Sequence, residues 1–128
     1  MNFNFDFNCL KKGAPVVTLS SSGISCNLAS VRLLDNPEYV IVGFDSDCMA
    51  LGIKASPAVV EGVPTYPFYS RLRNDWVKIG GRGFLCHLSR VSRIDFISKA
   101  KQFIPEFDEE SNTLVVYVDE KHLKDAKD

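Results

Sequence analysis

A chain of 128 residues, 45% of them apolar, can bury one ordinary core but not two independent ones. A net charge of −1 argues against a protein drawn to phosphate by its bulk charge, and no apolar run approaches the ~20 residues of a membrane-spanning helix, so no membrane partner is expected. The start, Met1-Asn2-Phe3-Asn4-Phe5-Asp6, has neither the basic residues nor the apolar core of a signal peptide, which predicts a cytoplasmic protein with Cys9, Cys26, Cys48 and Cys86 as thiols.

Residues 1–8 alternate Phe3, Phe5 and Phe7 with polar neighbours, a period of two that predicts an edge strand or an arm docked on a second copy, making a homo-oligomer one expected arrangement. Lys11-Lys12-Gly13-Ala14-Pro15 breaks that strand. Val16 to Leu19 is a short β-type run and Ser20-Ser21-Ser22-Gly23 a turn, in which Gly23 supplies a positive φ or a close backbone approach. Asn27 is placed to cap a helix that buries Leu28, Val31 and either Leu33 or Leu34, and that stops at Asp35-Asn36-Pro37. Residues 39–54 read as a β-hairpin. Asp45 and Asp47 lack the further ligands and distal Glu of a calcium loop, so they read as turn chemistry.

Residues 56–70, with Pro57, Pro64, Pro67 and Gly62, form the connector. Tyr66, Phe68 and Tyr69 beside Arg71 and Arg73 suit stacking on unpaired bases, or a linker strand with one buried face, which the alternation favours. Trp76-Val77-Lys78-Ile79 opens the second half. The following Gly80-Gly81-Arg82-Gly83 fits neither the P-loop nor G-x-G-x-x-G and reads as a turn. A helix is predicted from about Leu88 to Gln102. Val91, Ile94, Phe96 or Ile97, and Phe103 form its apolar side, and Arg90, Arg93, Lys99 and Lys101 its basic surface. A turn at 107–112, a strand at Thr113 to Val118 and a charged, frayed tail from Glu120 complete the chain.

One phrase occurs twice, as Gly23-Ile24-Ser25-Cys26-Asn27-Leu28 and, 60 positions on, as Gly83-Phe84-Leu85-Cys86-His87-Leu88. Val17-Thr18-Leu19 matches Val77-Lys78-Ile79 at the same offset, and at an offset of 63 Phe44-Asp45, Leu51 and Ile53 match Phe107-Asp108, Leu114 and Val116. The ordered matches predict an α+β fold, a single domain of two tandem βαββ repeats around a shared core. Repeat one spans about 16–55 and repeat two about 76–118.

Strand, Ser/Gly turn, large apolar residue, short helix, strand, acidic turn and strand, over Val17 to Ile53 and again over Val77 to Val118, resemble the swapped-hairpin folds of AbrB-like regulators, duplicated as in the MraZ type. That resemblance implies DNA binding and transcription regulation. The chain departs from the family in having Ile24 and Phe84 where an Arg is usual, and Asn27 and His87 where a Pro is usual. In general character it also resembles small proteins of bacterial mobile elements.

Charge is segregated. Residues 71–101 carry eight Lys/Arg against Asp75 and Asp95, whereas residues 102–128 carry three against eight acids. Arg71, Arg73, Lys78, Arg82, Arg90, Arg93, Lys99 and Lys101 are therefore the candidate nucleic-acid contacts, with the Arg82 turn or the second helix approaching a groove. The plainer reading is a solvated face, or basic and acidic segments facing each other. No catalytic constellation is expected. Adjacent Cys86 and His87 diverge in direction, repeat position explains Cys26 and Cys86 better than a metal site does, and no C-x-x-C pair signals zinc. The expectation is a non-enzymatic DNA-binding or regulatory protein without cofactor or metal, or else a protein-interaction module, an inhibitor or accessory factor, for an acidic protein partner.

Overall fold

The computed structural model describes residues 14–124. The strand expected at residues 1–8, Cys9 and residues 125–128 lie outside the described residues.

β1 (Val17–Ser20) and β2 (Gly23–Asn27) form the first hairpin. The carboxamide of Asn27 then caps α1 (Leu28–Leu33), as its position predicts. Its Oδ1 accepts from the Ser30 backbone N–H at 3.1 Å, the Ser30 hydroxyl at 2.9 Å and the Val16 N–H at 3.0 Å, while its Nδ2 donates to the Ala14 carbonyl at 2.8 Å. One side chain thus starts the helix and ties it to the segment entering β1. Val31 and Leu34 are the buried apolar residues of this stretch, Leu33 is exposed, and Asp35 and Asn36 end it with positive φ. β3 (Tyr39–Asp45) and β4 (Ala50–Ser56) follow as a hairpin. At its turn Asp45 Oδ1 accepts from the Asp47 and Cys48 N–H groups, which makes the pair of aspartates turn chemistry.

The connector is more structured than a linker. It holds β5 (Thr65–Pro67), the 3₁₀ turn Tyr69–Arg71 and a fully buried Phe68. Next come β6 (Trp76–Ile79), α2 (Arg82–Ser92), β7 (Lys101–Phe103), β8 (Glu106–Asp108) and β9 (Thr113–Tyr117). These strands make two antiparallel sheets in a single α+β domain, one of four strands ordered β6-β2-β1-β7 and one of five ordered β5-β3-β4-β9-β8. Val17, Leu19, Ile24, Cys26, Val77, Ile79 and Phe103 of the first sheet join Val40, Leu51, Ile53, Leu114 and Val116 of the second, and Leu85 and Leu88 of α2, in one core. The opposite face of the four-stranded sheet carries Lys78, Ser25, Thr18 and Gln102 in one cross-strand row.

Three expectations are corrected. The second helix is Arg82–Ser92, not Leu88 to Gln102. It starts at Gly81 because Leu85 and Leu88, with Phe84 and Val91, repeat at helical spacing. It stops because Arg93 takes a left-handed conformation (φ 62°), after which Asp95 Oδ1 accepts from the Ile97 and Ser98 N–H groups and draws the backbone out of the helix. The repeated phrase therefore does not keep one structure, since Gly23–Asn27 is strand and its counterpart is helix. The apolar spacing differs: Ile24 and Cys26 are buried in strand alternation, whereas Phe84, Leu85 and Leu88 recur at helical intervals and bury Leu85 and Leu88. Finally, residues 120–124 are not a frayed end. Asp119 Oδ1 accepts from the His122 N–H at 3.0 Å, and the segment closes the outer edge of β7 through Ile104 N–H to the His122 carbonyl (2.9 Å) and Lys124 N–H to the Gln102 carbonyl (2.7 Å).

The two matched glycines consequently differ. A Cβ on Gly23 (φ 143°) would meet the Ile79 carbonyl oxygen at 2.6 Å, whereas a Cβ on Gly83 meets nothing within 4 Å. Gly23→Ala is expected to cost of order 1–3 kcal/mol or more. Gly83→Ala is expected to leave stability unchanged or raise it by up to about 1 kcal/mol. Equal losses in the two denaturation midpoints would contradict this assignment.

Candidate functional site

The site forms where the connector meets the edge of the four-stranded sheet. Phe68, buried in the core, anchors the 3₁₀ turn, with its N–H donating to the Glu38 carbonyl at 2.8 Å and the Tyr69 N–H donating to that of Pro37 at 3.0 Å. Arg71 ends that turn with its side chain exposed. Arg73 and Trp76 then exchange backbone hydrogen bonds of 2.8 and 3.0 Å across Asn74 and Asp75, both of positive φ. This is the two-residue turn that Asn and Asp tolerate best among non-glycine residues. Arg73 Nη1 donates to the Ser70 and Leu72 carbonyls at 3.2 and 2.8 Å, which fixes one end of the guanidinium and leaves the other for a ligand. Along β6, Val77 and Ile79 face the core, so Trp76 and Lys78 face outward, opposite Asn27 and Ser25 of β2.

Arg71, Arg73, Trp76, Lys78 and Ser25 together line an open cleft of about 390 Å³. No carboxylate lines it, and among the described residues none comes within 4.0 Å of its three cations. Trp76 is half-buried. Its indole N–H has no hydrogen-bond partner among the described residues.

The other predicted cations lie elsewhere. Arg93, Lys99 and Lys101 border a separate hollow of about 340 Å³ together with Asp95, Glu120, Ile94 and Leu123. Acids and bases are mixed there. The Ser98 backbone N–H, its hydroxyl and Lys101 hold the Asp95 carboxyl below its usual range. Arg82 and Arg90 are exposed on α2, outside both hollows. The expected basic helix therefore does not exist as one surface: Arg90 is helical, Arg93 is the cap, Lys99 lies in a bend and Lys101 in β7. The structure brings together Arg71, Arg73 and Lys78, and adds Trp76 and Ser25, which sequence reasoning had not placed in the site. The signal for Trp76 was present, since residues 76 and 78 alternate with apolar 77 and 79. Of the aromatic group in the connector, Phe68 is wholly buried and Tyr66 packs on the core, which makes the stretch largely a linker with a buried face, while Tyr69 remains 45% exposed.

Cys26 is fully buried, and desolvation pushes its thiol up to about 12. Cys86 and His87 lie on α2, half-buried and exposed respectively. Among the described residues no group of three His, Cys, Asp or Glu is arranged to hold a metal ion, and no helix is long and apolar enough to cross a membrane. Comparison of the chain with protein-family models, curated proteins and solved structures returned no match.

Cys26 supplies a measurable consequence. In the folded protein at pH 8 it is expected to resist an aqueous thiol reagent, and to react once the chain unfolds, as read by peptide mass mapping. Its folded pKa lies above the ordinary value of 9.0. The folded state therefore keeps a proton that the unfolded chain releases, and stability falls by about 1 kcal/mol per pH unit as pH rises from 9 toward 12. Cys26→Ala should lack that part of the alkaline slope; an identical slope in the variant would contradict the burial of this thiol.

Proposed function

We propose that this chain is a non-enzymatic nucleic-acid-binding protein that grips the phosphate backbone with Arg71 and Arg73 of the connector and Lys78 on the outer face of the four-stranded sheet. One observation carries the reading: three cations with no carboxylate partner among the described residues converge beside an outward-facing tryptophan in a single open cleft. Guanidinium groups match phosphate oxygens in a planar, bidentate manner, and Arg73 is already held at one nitrogen, so little side-chain freedom is lost on binding. Net charge near zero makes the attraction local, which limits long-range steering. Binding without reaction acts by occupancy, and a regulatory role, including the transcriptional one that the resemblance to swapped-hairpin regulators implies, extends the same reading.

A second surface favours a protein partner. Gly43 and Gly52 face each other across β3 and β4, and without side chains they leave a mostly apolar hollow of about 320 Å³ beside Ile41, Val63 and Thr113, with Lys54 as its one charged lining residue among the described residues. A partner there would bind with weak dependence on salt, unlike a phosphate ligand.

The test is affinity for labelled oligonucleotides as a function of salt. The parent protein is expected to bind with a steep salt dependence. Replacing Arg71 and Arg73 with Glu should weaken binding more than tenfold and lower the log–log salt slope by about 1 for each phosphate contact removed. Replacing Arg82 and Arg90 with Glu should change affinity much less. Equal losses in the two double variants, with both folded, would remove the cleft from the footprint.

A further inference from the structure

Resting on that reading, we infer that the ligand of the cleft is a single strand, held by stacking of an unpaired base on Trp76 while Arg71, Arg73 and Lys78 hold the flanking phosphates. The shape of the site carries this. The cations surround an open recess at the β6 edge of the sheet, Lys78 on the strand and Arg71 and Arg73 on the connector, and none sits on a long projecting helix. Reading a duplex through its major groove requires such a projection. The exposed helical cations, Arg82 and Arg90, lie outside the cleft. A flat antiparallel sheet with an aromatic and neighbouring cations is suited to bases that have already left a stack, because each base can lay its π-face on the ring while its phosphate stays in water.

The chemistry of the surrounding face agrees. From Lys78 the same row runs through Ser25 and Thr18 to Gln102, whose Nε2 donates to the Thr18 hydroxyl at 3.4 Å. At ~4.8 Å between strands the row is about 14 Å long, and its side chains are small or uncharged beyond Lys78. They leave room for sugar and base edges along the sheet and supply donors and acceptors of both kinds. No acidic residue appears in that row. The indole N–H of Trp76 adds a donor at the stacking end. The sugar could be ribose or deoxyribose, since stacking and phosphate contacts are common to both.

Trp76 is the sole tryptophan of the chain, so the test has an intrinsic reporter. The full-length protein is titrated at low salt with oligo-dT, oligo-U, a blunt duplex of equal length, and an abasic deoxyribose-phosphate oligomer. Oligo-dT and oligo-U are expected to quench Trp76 emission saturably; a preference between them identifies the sugar. The abasic oligomer should bind roughly tenfold more weakly without quenching, and the duplex no better than the abasic strand. By anisotropy of labelled oligo-dT, Trp76→Ala should lose roughly tenfold in affinity and Trp76→Phe much less, while affinity for the abasic strand stays unchanged in both. Folding of each variant is checked by circular dichroism. Duplex bound as tightly as oligo-dT, or Trp76→Ala indistinguishable from the parent on oligo-dT, overturns the single-strand inference and leaves phosphate binding standing. No binding of any probe at low salt overturns both.

Discussion

The approach of β2 to β6 at Gly23 is the contact on which the rest of the molecule depends. The Ile79 carbonyl lies where a side chain at residue 23 would begin, so the first and second halves of the chain share one sheet only because that position is glycine. From this seam the register follows, with Ile24 opposite Ile79, Ser25 opposite Lys78 and Asn27 opposite Trp76. Period-two alternation then places Ile79 and Val77 in the core and Lys78 and Trp76 outside. The cleft is a consequence of that register. A shift by one residue would bury Lys78 and turn Ile79 to water, which the core excludes.

A second junction between the halves lies at the centre of the five-stranded sheet. β4 pairs with β9, setting Leu51 opposite Val116 and Ile53 opposite Leu114. Within the hairpins, Phe44 faces Leu51 and Asp45 faces Ala50, just as Phe107 faces Leu114 and Asp108 faces Thr113. Residues related by the offset of 63 thus occupy matching register positions in the two hairpins, which meet with Gly52 opposite Val115. In the other sheet Val17 and Val77 both oppose Cys26, while Leu19 and Ile79 both oppose Ile24. The correspondence stops at the phrase that suggested it. Its first copy is the strand between β1 and β6, with Ile24 and Cys26 buried in alternation, and its second copy is a helix that buries Leu85 and Leu88.

Segregated charge has a similar history. The run of cations from 71 to 101 is continuous along the chain but divides in space. Arg71, Arg73 and Lys78 line a cleft with no carboxylate from the described residues, whereas Arg93, Lys99 and Lys101 share their hollow with Asp95 and Glu120. The two carboxylates in that hollow lower its local positive potential, which makes the second group the poorer anion site. Part of the run is therefore the solvated, internally balanced surface that the near-neutral net charge suggests, and part is a concentrated basic patch.

What the sequence determined by itself is whatever depends on neighbours in the chain. Asn27 as a cap, the Asp45 turn, the hairpin of residues 39–54, the last strand and the special conformation at Gly23 all follow from side chains acting on their own backbone within a few residues. The tertiary structure decided the fate of segments whose local preference was balanced. Gly83–Leu88 carries apolar spacing that suits strand or helix, and burial of Leu85 and Leu88 together in the core made it helix. Residues 93–100 had helical periodicity, but the left-handed Arg93 and the Asp95 turn ended the helix and freed Lys101 for β7. The cleft itself was beyond local reasoning, because Ser25 reaches Lys78 and Trp76 only through pairing of strands some fifty residues apart, an interaction whose free energy comes from burying both inner faces in one core.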